Sequence, residues 1–215
     1  MRGRGIKYLN GQPVLNSDGT YQTQNDVYFG SVLPKFTGGA FTSFRYDDLT
    51  LTLSMDYGKG GKYFSLSNYW GQYSGLLAET AATNDKGMNV RDDVSAGGGV
   101  HVKGVNEAGE TVDKYVGGYD YYHQFGNNGI AEASIFDATF VKMREINLGY
   151  NVPVRKIPFL NGKVRSASVS LVARNPWIIY VANPNFDASE LAGKFGENGQ
   201  LVGTRSMGFS VRLGF

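Results

Sequence analysis

The stretch that decides the fold is TRSMGFSVRLGF, residues Thr204 to Phe215, at the end of the chain. From residue 207 on, every second side chain is apolar, and the residues between are small or polar. The apolar set is Met207, Phe209, Val211, Leu213 and Phe215. Such alternation predicts a β-strand with one apolar and one polar face. Its length suits a tilted strand that crosses a bilayer in about 9–11 residues, although soluble sheets alternate as well.

The place of this strand in the chain favours a membrane. The alternation continues to the last residue without a polar tail and ends on an aromatic ring. Amphipathic strands that end a chain on Phe are typical of outer-membrane β-barrels, whose assembly machinery recognises that segment. We therefore predict that the five apolar residues are a barrel-assembly signal in contact with outer-membrane lipid.

Composition agrees with a barrel and excludes other classes. The 215 residues are 41% hydrophobic, and no run approaches the ~20 apolar residues that a transmembrane helix needs. A barrel strand, by contrast, turns only every second residue to lipid. The chain has no Cys, which excludes disulfides and thiolate metal sites. Its net charge of +2 gives no reason to expect a nucleic-acid partner.

Four further stretches alternate in the same way and predict strands. They are Phe36–Tyr46, Leu49–Tyr57, Ile146–Asn151 and Arg165–Ala173. The run Tyr63–Trp70 is either a sixth strand or a continuation of Leu49–Tyr57. Lys142 and Arg144 share the alternation phase of Ile146 and would face lipid, where an Arg at the midplane costs about 2–4 kcal/mol. We therefore expect both cations at the outer rim of a strand that projects above the membrane.

Connection lengths predict the topology. The turn Asp47–Asp48 and the connection Val152–Gly162 are short, whereas residues 58–137 and 175–203 form long connections. Short and long connections alternate along the chain, as in bacterial barrels with short periplasmic turns and long extracellular loops. We predict an all-β fold, an antiparallel transmembrane β-barrel segment at residues 36–215. Residues 1–35 are predicted to be an extracellular loop or a strand lead-in.

Five or six strands do not close a barrel, since the smallest common transmembrane barrels have about eight. An open sheet in lipid leaves backbone groups unpaired at its edges, which costs several kcal/mol for each group. The first ten residues, MRGRGIKYLN, also lack the apolar stretch of a signal peptide. The sequence is therefore expected to be a fragment of a longer polypeptide.

Four ordered motifs resemble one family. They are Gly30–Phe41, Phe140–Tyr150 with Pro153 after it, Ala173–Trp177, and Asn183–Asp187. Together with the terminal strand they resemble the C-terminal part of SusC/RagA-type TonB-dependent outer-membrane transporters. The resemblance covers most of residues 25–215.

The resemblance implies a 22-stranded barrel with a plugged lumen, of which this chain supplies the last five or six strands. It also implies import of oligosaccharides or peptides, with a SusD-like surface lipoprotein as the lid. Energy would come through TonB, but only by way of N-terminal regions that this sequence lacks. The expected role is thus one part of an outer-membrane nutrient importer.

Catalytic chemistry finds little support in the sequence. His101 and His123 stand 22 residues apart without a metal-binding pattern, and the pairs Asp92–Asp93 and Glu107/Glu110 lie in polar stretches typical of solvated loops. The Asn/Asp-rich stretch near residues 10–19 lacks the closing Glu of a calcium loop. We expect no enzymatic activity, no cofactor and no metal.

Aromatic residues in the two long connections are the candidate contacts for a substrate or partner, because aromatic faces stack on sugars and anchor interfaces. The alternative is that they pack the loops together or form an aromatic girdle. The candidates are Trp70, Tyr73, Tyr119, Tyr121, Tyr122, Trp177 and Tyr180. A rival interpretation of the whole chain is a secreted soluble β-sandwich that binds glycans through the same aromatics.

Overall fold

The computed structural model describes residues 1–160, 162–183, 185–191, 196–199 and 203–215, which form fourteen strands and two α-helices. The strands are β1 (Arg2–Ile6), β2 (Tyr8–Leu9), β3 (Gln12–Pro13), β4 (Thr23–Tyr28), β5 (Phe36–Tyr46), β6 (Leu49–Lys59), β7 (Lys62–Ser65), β8 (Val100–Val105), β9 (Thr111–Val116), β10 (Ile135–Asp137), β11 (Phe140–Val152), β12 (Ser166–Val181), β13 (Gly196–Glu197) and β14 (Ser206–Gly214). The helices are α1 (Leu66–Tyr73) and α2 (Gly118–Asn127). Among the described residues, no helix is both long and apolar enough to cross a membrane.

The chain divides into two compact units. We call the first the loop unit; it comprises residues 1–32, 62–136 and the described part of 192–200. We call the second the sheet unit; it comprises residues 33–61 and 137–191 and the described part of 201–215. Both units are thus built from segments that are distant in sequence.

The sheet unit contains a five-stranded antiparallel sheet in the order β14-β12-β11-β6-β5. A two-residue turn at Asp47–Asp48 joins β5 to β6, and Asp47 adopts a left-handed conformation with φ of 48°. Asp tolerates positive φ better than most residues, which suits it to such a turn. The predicted strands are therefore confirmed, with β11 and β12 longer than the sequence pattern indicated.

The register places most of the apolar residues of the five strands on one face, which we call the apolar face; Phe41 and Val172 are exceptions on the opposite face. One row across the sheet, for example, runs through Phe44, Leu51, Leu148, Leu171 and Phe209. Many side chains of this face are exposed and others, such as Leu51, are half-buried; Phe209 keeps 77% of its surface exposed. The opposite face, which we call the polar face, carries small polar residues such as Thr52, Asn147 and Ser170.

Aromatic side chains mark both ends of the apolar face. At one end, Leu49 on β6 lies between Tyr46 on β5 and Tyr150 on β11. At the other end, Tyr57 and Tyr180 both lie beside Val141 in the ladder, and the Phe36 ring meets the Tyr57 ring edge-on at 6.1 Å. Aliphatic and sulfur-containing side chains occupy most of the rows between these ends.

The expected position of Lys142 and Arg144 is wrong, because a β-bulge interrupts β11. The ladders to β6 and β12 both shift between Met143 and Glu145, and relative to β6 the shift leaves Arg144 as an extra residue. Since side chains alternate with period two, one extra residue moves everything before it to the other face. Lys142 therefore lies opposite Asp56 on the polar face and is only 3% exposed.

A charge cluster on the polar face compensates the two cations. The Lys142 Nζ lies 2.6 Å from Asp187 and 2.7 Å from Glu190. Arg144 bonds Asp56 at 2.7 Å and Glu190 at 2.8 Å. The Lys142 ammonium also holds the pKa of Glu190 below its ordinary value. Removing one partner would leave a buried charge unpaired, so the cluster fixes segment 187–190 against β11.

The long connections differ from the expectation in several places. The run at Tyr63–Trp70 is not a sixth barrel strand, because β7 pairs with β10 and β13, and α1 begins at Leu66. The connection 58–137 is folded rather than a plain loop, and residues 1–35 contain strands β1 to β4. The second connection begins only after Val181, since β12 continues to that residue. Pro184, in one of the quoted motifs, lies outside the described residues, as do other parts of 175–203.

The core of the loop unit forms around the β8–β9 hairpin. Leu15, Val102 and Val116 are buried together, with Tyr21 and Tyr121 packed against them. A second anchor is the Glu197 carboxylate, which is fully buried and accepts hydrogen bonds from the Ser65 and Ser67 hydroxyls at 2.7 Å. Burial alone would raise the pKa of Glu197, but these hydrogen bonds outweigh it and lower the pKa. Glu197 thereby fastens β13 to β7 and to the start of α1.

Candidate functional site

The two helices of the loop unit pack against each other and carry most of the predicted aromatic residues. Ser65 caps α1 by accepting a hydrogen bond from the Asn68 N–H, which satisfies one of the free donors of the first turn. Gly126 on α2 leaves room for Tyr73 on α1, since a Cβ there would come within 2.3 Å of the Tyr73 ring. A side chain at position 126 would therefore push the helices apart.

A continuous series of rings runs across α1 and α2, and we call it the aromatic ladder. Its members are Tyr69, Trp70, Tyr73, His123 and Tyr119. Ring centroids are 5.2 Å apart for Tyr69 and Trp70, and 5.5 Å apart for Trp70 and Tyr73. His123 lies 4.3 Å from Tyr73 and stacks on Tyr119 at 3.8 Å. Trp70 and Tyr119 are 51% and 72% exposed, so solvent reaches part of the ladder.

The end of the ladder borders a cavity of about 220 Å³, which we call the cleft. Its lining comprises Gln72, Tyr73, Ser74, Gly75, Thr80, Arg91, Gly118, Tyr119, Tyr122 and His123. Three of the predicted contact residues, Tyr73, Tyr119 and Tyr122, thus meet at one place. A concave site with aromatic walls and a few polar groups is the usual form of a small-ligand site.

Arg91 is the cation of the cleft, and the backbone holds it in place. Its Nε donates to the Thr80 carbonyl at 2.7 Å, and its Nη2 donates to the Gly75 carbonyl at 2.5 Å and to the Thr80 hydroxyl at 2.8 Å. Among the described residues, Arg91 forms no ion pair with a carboxylate. The guanidinium is therefore rigid but keeps an uncompensated positive charge.

Gln72 contributes an unsatisfied polar group to the same wall. Its side-chain Oε1 is shielded from solvent and has no hydrogen-bond partner in the described part of the chain. Buried polar groups in proteins are nearly always hydrogen-bonded, so each exception needs an explanation. Since water does not reach this oxygen, the Gln72 amide must turn toward the cleft before the N–H or O–H of a ligand can satisfy it.

Two of the predicted contact residues on α2 are largely structural. Tyr121 packs on the hairpin core and lies edge-on to the Phe125 ring at 5.6 Å. Tyr122 donates its hydroxyl proton to the Glu79 carbonyl at 2.6 Å. Burial raises the pKa of both phenols. Tyr122 still borders the cleft, whereas Tyr121 lines no part of it.

Trp177 and Tyr180 do not lie in a loop, contrary to the expected boundary at residue 175. Both belong to β12, where Trp177 lies opposite Met143 and Tyr180 lies opposite Val141. Their rings are 50% and 53% exposed on the apolar face. This placement matches the aromatic-girdle alternative better than a substrate contact.

His101 forms an arrangement that the sequence did not indicate. Its Nδ1 lies 2.5 Å from an Asp85 oxygen, and its Nε2 lies 2.6 Å from an Asp113 oxygen. The ring stacks on Tyr115 at 4.4 Å, and the Tyr115 hydroxyl donates to Asp85. Hydrogen bonds to Asp113 and Asp85 raise the pKa of His101. We call this group the histidine clamp; it fastens segment 84–86 to the β8–β9 hairpin.

The carboxylate pairs considered for catalysis have ordinary structural partners. Asp93 accepts hydrogen bonds from the backbone and hydroxyl of Ser95, and Glu107 pairs with Lys7 at 3.0 Å. Within the described ranges, no group of three or more His, Asp or Glu side chains is placed to hold a metal ion.

Sequence reasoning missed Arg91, Gln72 and His123 as members of the cleft. Arg91 follows a polar stretch with no motif, and Gln72 reads as one polar residue of a short amphipathic segment. For His123, residue type alone suggests a metal ligand rather than a ring stack. The spacing Tyr119–His123 places both rings on one helix face, four residues apart. That spacing was the only local signal for the stack.

No protein-family model and no curated protein matches the chain. Solved structures do match. The RagAB peptide importer in the "closed-closed" state aligns at 18% identity with a TM-score of 0.56, over 99% of this chain. The "open-open" state aligns at 17% identity with a TM-score of 0.57, over 100% of this chain. A structure of the RagAB peptide transporter aligns at 16% identity and 0.57, over 98%.

In each case the chain spans 22% of the length of the structure that it matches. Because nearly all of the present chain is superposed, both units share the fold of the matched region. The predicted resemblance to SusC/RagA-type barrels is thus confirmed at the level of the fold. The class defined here is an antiparallel, all-β barrel segment with a folded loop unit.

Proposed function

We propose that this chain is part of an outer-membrane nutrient importer of the TonB-dependent type. The observation that carries the proposal is the likeness of nearly the whole chain to the RagAB importer structures. The exposed apolar face supports it, because a contiguous apolar sheet face needs a covering, and lipid supplies one in barrels. The cargo would be an oligosaccharide or a peptide, taken up with energy delivered through TonB.

In this proposal the sheet unit belongs to the barrel wall and the loop unit lies outside the cell. The aromatic ladder, with Trp70, Tyr73 and Tyr119, then contacts the cargo or a SusD-like lipoprotein lid. The alternating apolar residues of β14 act as the assembly signal. No catalytic role is proposed; His101, Asp93 and Glu107 have structural partners.

Epitope tagging in the native host tests the topology. One tag is inserted between Ala108 and Gly109, in the turn of the β8–β9 hairpin, and a matched tag is inserted between Asp47 and Asp48. We expect antibody to reach the first tag on intact cells, and the second only after the outer membrane is permeabilised. The tagged protein should fractionate with the outer membrane and require detergent for extraction.

Recovery of both tagged proteins in a detergent-free soluble fraction would overturn the proposal. It would favour the secreted, glycan-binding β-sandwich instead. That alternative also requires the apolar face to be buried, whereas Leu171 and Phe209 are 59% and 77% exposed.

A further inference from the structure

We infer that the cleft binds the carboxyl-terminal residue of a peptide when that residue is aromatic. The inference deepens the proposed function and rests on it for the setting, since it names which of the two cargo classes the loop unit recognises. Three kinds of group border the cleft: the Arg91 guanidinium, the amide of Gln72, and the rings of Tyr73 and Tyr119.

The charge comes first. Arg91 presents a guanidinium whose Nε and Nη2 are already bonded, with no carboxylate paired to it among the described residues. Arg pairs strongly with carboxylates, and a guanidinium fixed by the backbone loses little freedom when it binds one. A neutral oligosaccharide has no group that requires this charge. The cleft therefore favours an anionic ligand.

The rings come second. Tyr73 and Tyr119 both border the cleft, each ring contacts the His123 ring, and Tyr119 is 72% exposed. Planar ligands gain from edge-to-face or offset contacts with such rings. The cavity of about 220 Å³ is smaller than a pocket for a drug-sized ligand, which spans about 300–1,000 Å³. One aromatic residue suits that volume better than a chain of sugars.

The amide comes third. The shielded Oε1 of Gln72 lacks a donor, and once the Gln72 amide turns toward the cleft, the N–H of a terminal peptide bond would provide one. An aromatic residue at a peptide C-terminus carries an N–H, a carboxylate and, through its Cβ, a ring around one Cα. Each of these groups meets one of the three requirements of the cleft.

The test is a ligand-observed NMR titration of the protein purified in detergent from its native host. The probes are N-acetyl-phenylalanine, its uncharged match N-acetyl-phenylalaninamide, and D-glucuronate, which carries a carboxylate on a sugar ring. We expect the acid to bind about tenfold more tightly than the amide, as a charge-assisted pair predicts. Glucuronate should bind more weakly than the acid, because it offers neither an aromatic ring nor an amide N–H.

Substitutions in the cleft test which residues cause the preference for the acid over the amide. Arg91→Gln should reduce the ratio of acid to amide affinity to about one, while Arg155→Gln, in a short turn of the sheet unit, should leave it unchanged. Tyr119→Ala should weaken both phenylalanine probes to a similar extent. Because Arg91 also holds the Thr80 and Gly75 carbonyls, the wild-type comparison of acid and amide decides the matter even if Arg91→Gln fails to fold.

Equal wild-type affinities for acid and amide, no saturable binding of either, or tighter binding of glucuronate would each overturn the inference. Surface exposure of the Ala108 tag is scored in separate cells without any ligand. If acid and amide bind equally while the Ala108 tag is still exposed on intact cells, only the peptide-terminus site is ruled out. If the protein is soluble without detergent, the proposed function itself is ruled out.

Discussion

At the scale of single residues, several charged side chains are held in place by partners from other segments of the chain. The histidine clamp is the clearest example, because His101 lies between carboxylates 16 residues before it and 12 residues after it. Lys103 pairs with Asp113 at 3.2 Å, and the Lys86 ammonium lies 3.5 Å from the Tyr115 ring centroid. These are the charged groups that surround the imidazole.

The clamp predicts a pH dependence of local stability. The pKa of His101 is raised, mainly by its hydrogen bond to Asp113, whereas those of Asp85 and Asp113 are lowered. Tyr115 stays a neutral donor because Asp85 raises its pKa to about 12. The stabilisation is therefore complete below the ordinary His pKa of about 6.5 and is lost as pH rises through the raised value.

Hydrogen-exchange mass spectrometry of segment 84–99 measures this effect. After correction for the intrinsic pH dependence of exchange, protection should be greater at pH 6 than at pH 9. The variant His101→Gln keeps a side-chain donor but has no titrating ring, so its corrected protection should not change with pH. Equal pH dependence in both proteins would contradict the role of the clamp.

At the scale of elements, period-two alternation dominates the five-stranded sheet. It could be predicted from the sequence because each strand has one apolar and one polar face, and neighbours impose the same phase. The bulge at Arg144 could not, because one extra residue leaves the surrounding residue types unchanged and is fixed by pairing with β6 and β12. The free-energy cost of burying the Lys142 ammonium is offset only when Asp187 and Glu190, in segment 187–190, pair with it.

Deleting Arg144 tests the bulge. The deletion would remove the extra residue opposite β6 and leave Met143 opposite Met55 and Lys142 opposite Asp56, so Lys142 would stay on the polar face. We expect the deletion protein to reach the outer membrane folded, as measured by heat-modifiable gel mobility, but with lower stability, because the ion pairs of Arg144 with Asp56 and Glu190 are lost. The control Arg144→Ala keeps the extra residue and loses the same ion pairs, so it should lose a similar amount of stability. Failure of the deletion protein to assemble, with normal assembly of Arg144→Ala, would show that the fold requires the bulge itself.

Two neighbouring residues of the terminal strand β14 allow the apolar and polar faces to be compared by substitution. Phe209 and Ser210 are neighbours on β14, with Phe209 opposite Leu171 and Ser210 opposite Ser170. Phe209→Lys should destabilise the membrane-inserted protein by about 2–4 kcal/mol, whereas Ser210→Lys should cost much less. Guanidinium unfolding of outer-membrane protein in lipid vesicles measures both. Equal losses would show that β14 does not separate lipid from a polar interior.

At the scale of the whole molecule, the sheet unit was predictable and the loop unit was not. The strands of the loop unit are short, and its helices have eight and ten residues, so local patterns are weak there. Its stability comes from pairs distant in sequence, such as Ser65 with Glu197 and Arg4 with the Asn128 carbonyl. The tyrosines of the cleft were identified by residue type, while Arg91 and Gln72 join them only through the fold.

The distance between the aromatic residues at the two ends of the apolar face gives the thickness of the hydrocarbon layer that this face would match. Phe36 and Tyr46 are the first and last residues of β5, an eleven-residue strand. Ten steps of about 3.3 Å give about 33 Å along the strand, and a tilt of about 40° reduces this to about 25 Å. An average hydrocarbon layer is about 30 Å thick, and the bacterial outer membrane is thinner than average. In the proposed membrane-spanning role, hydrophobic mismatch would disfavour this sheet in thicker bilayers, so the spacing of its aromatic ends suits a thin membrane.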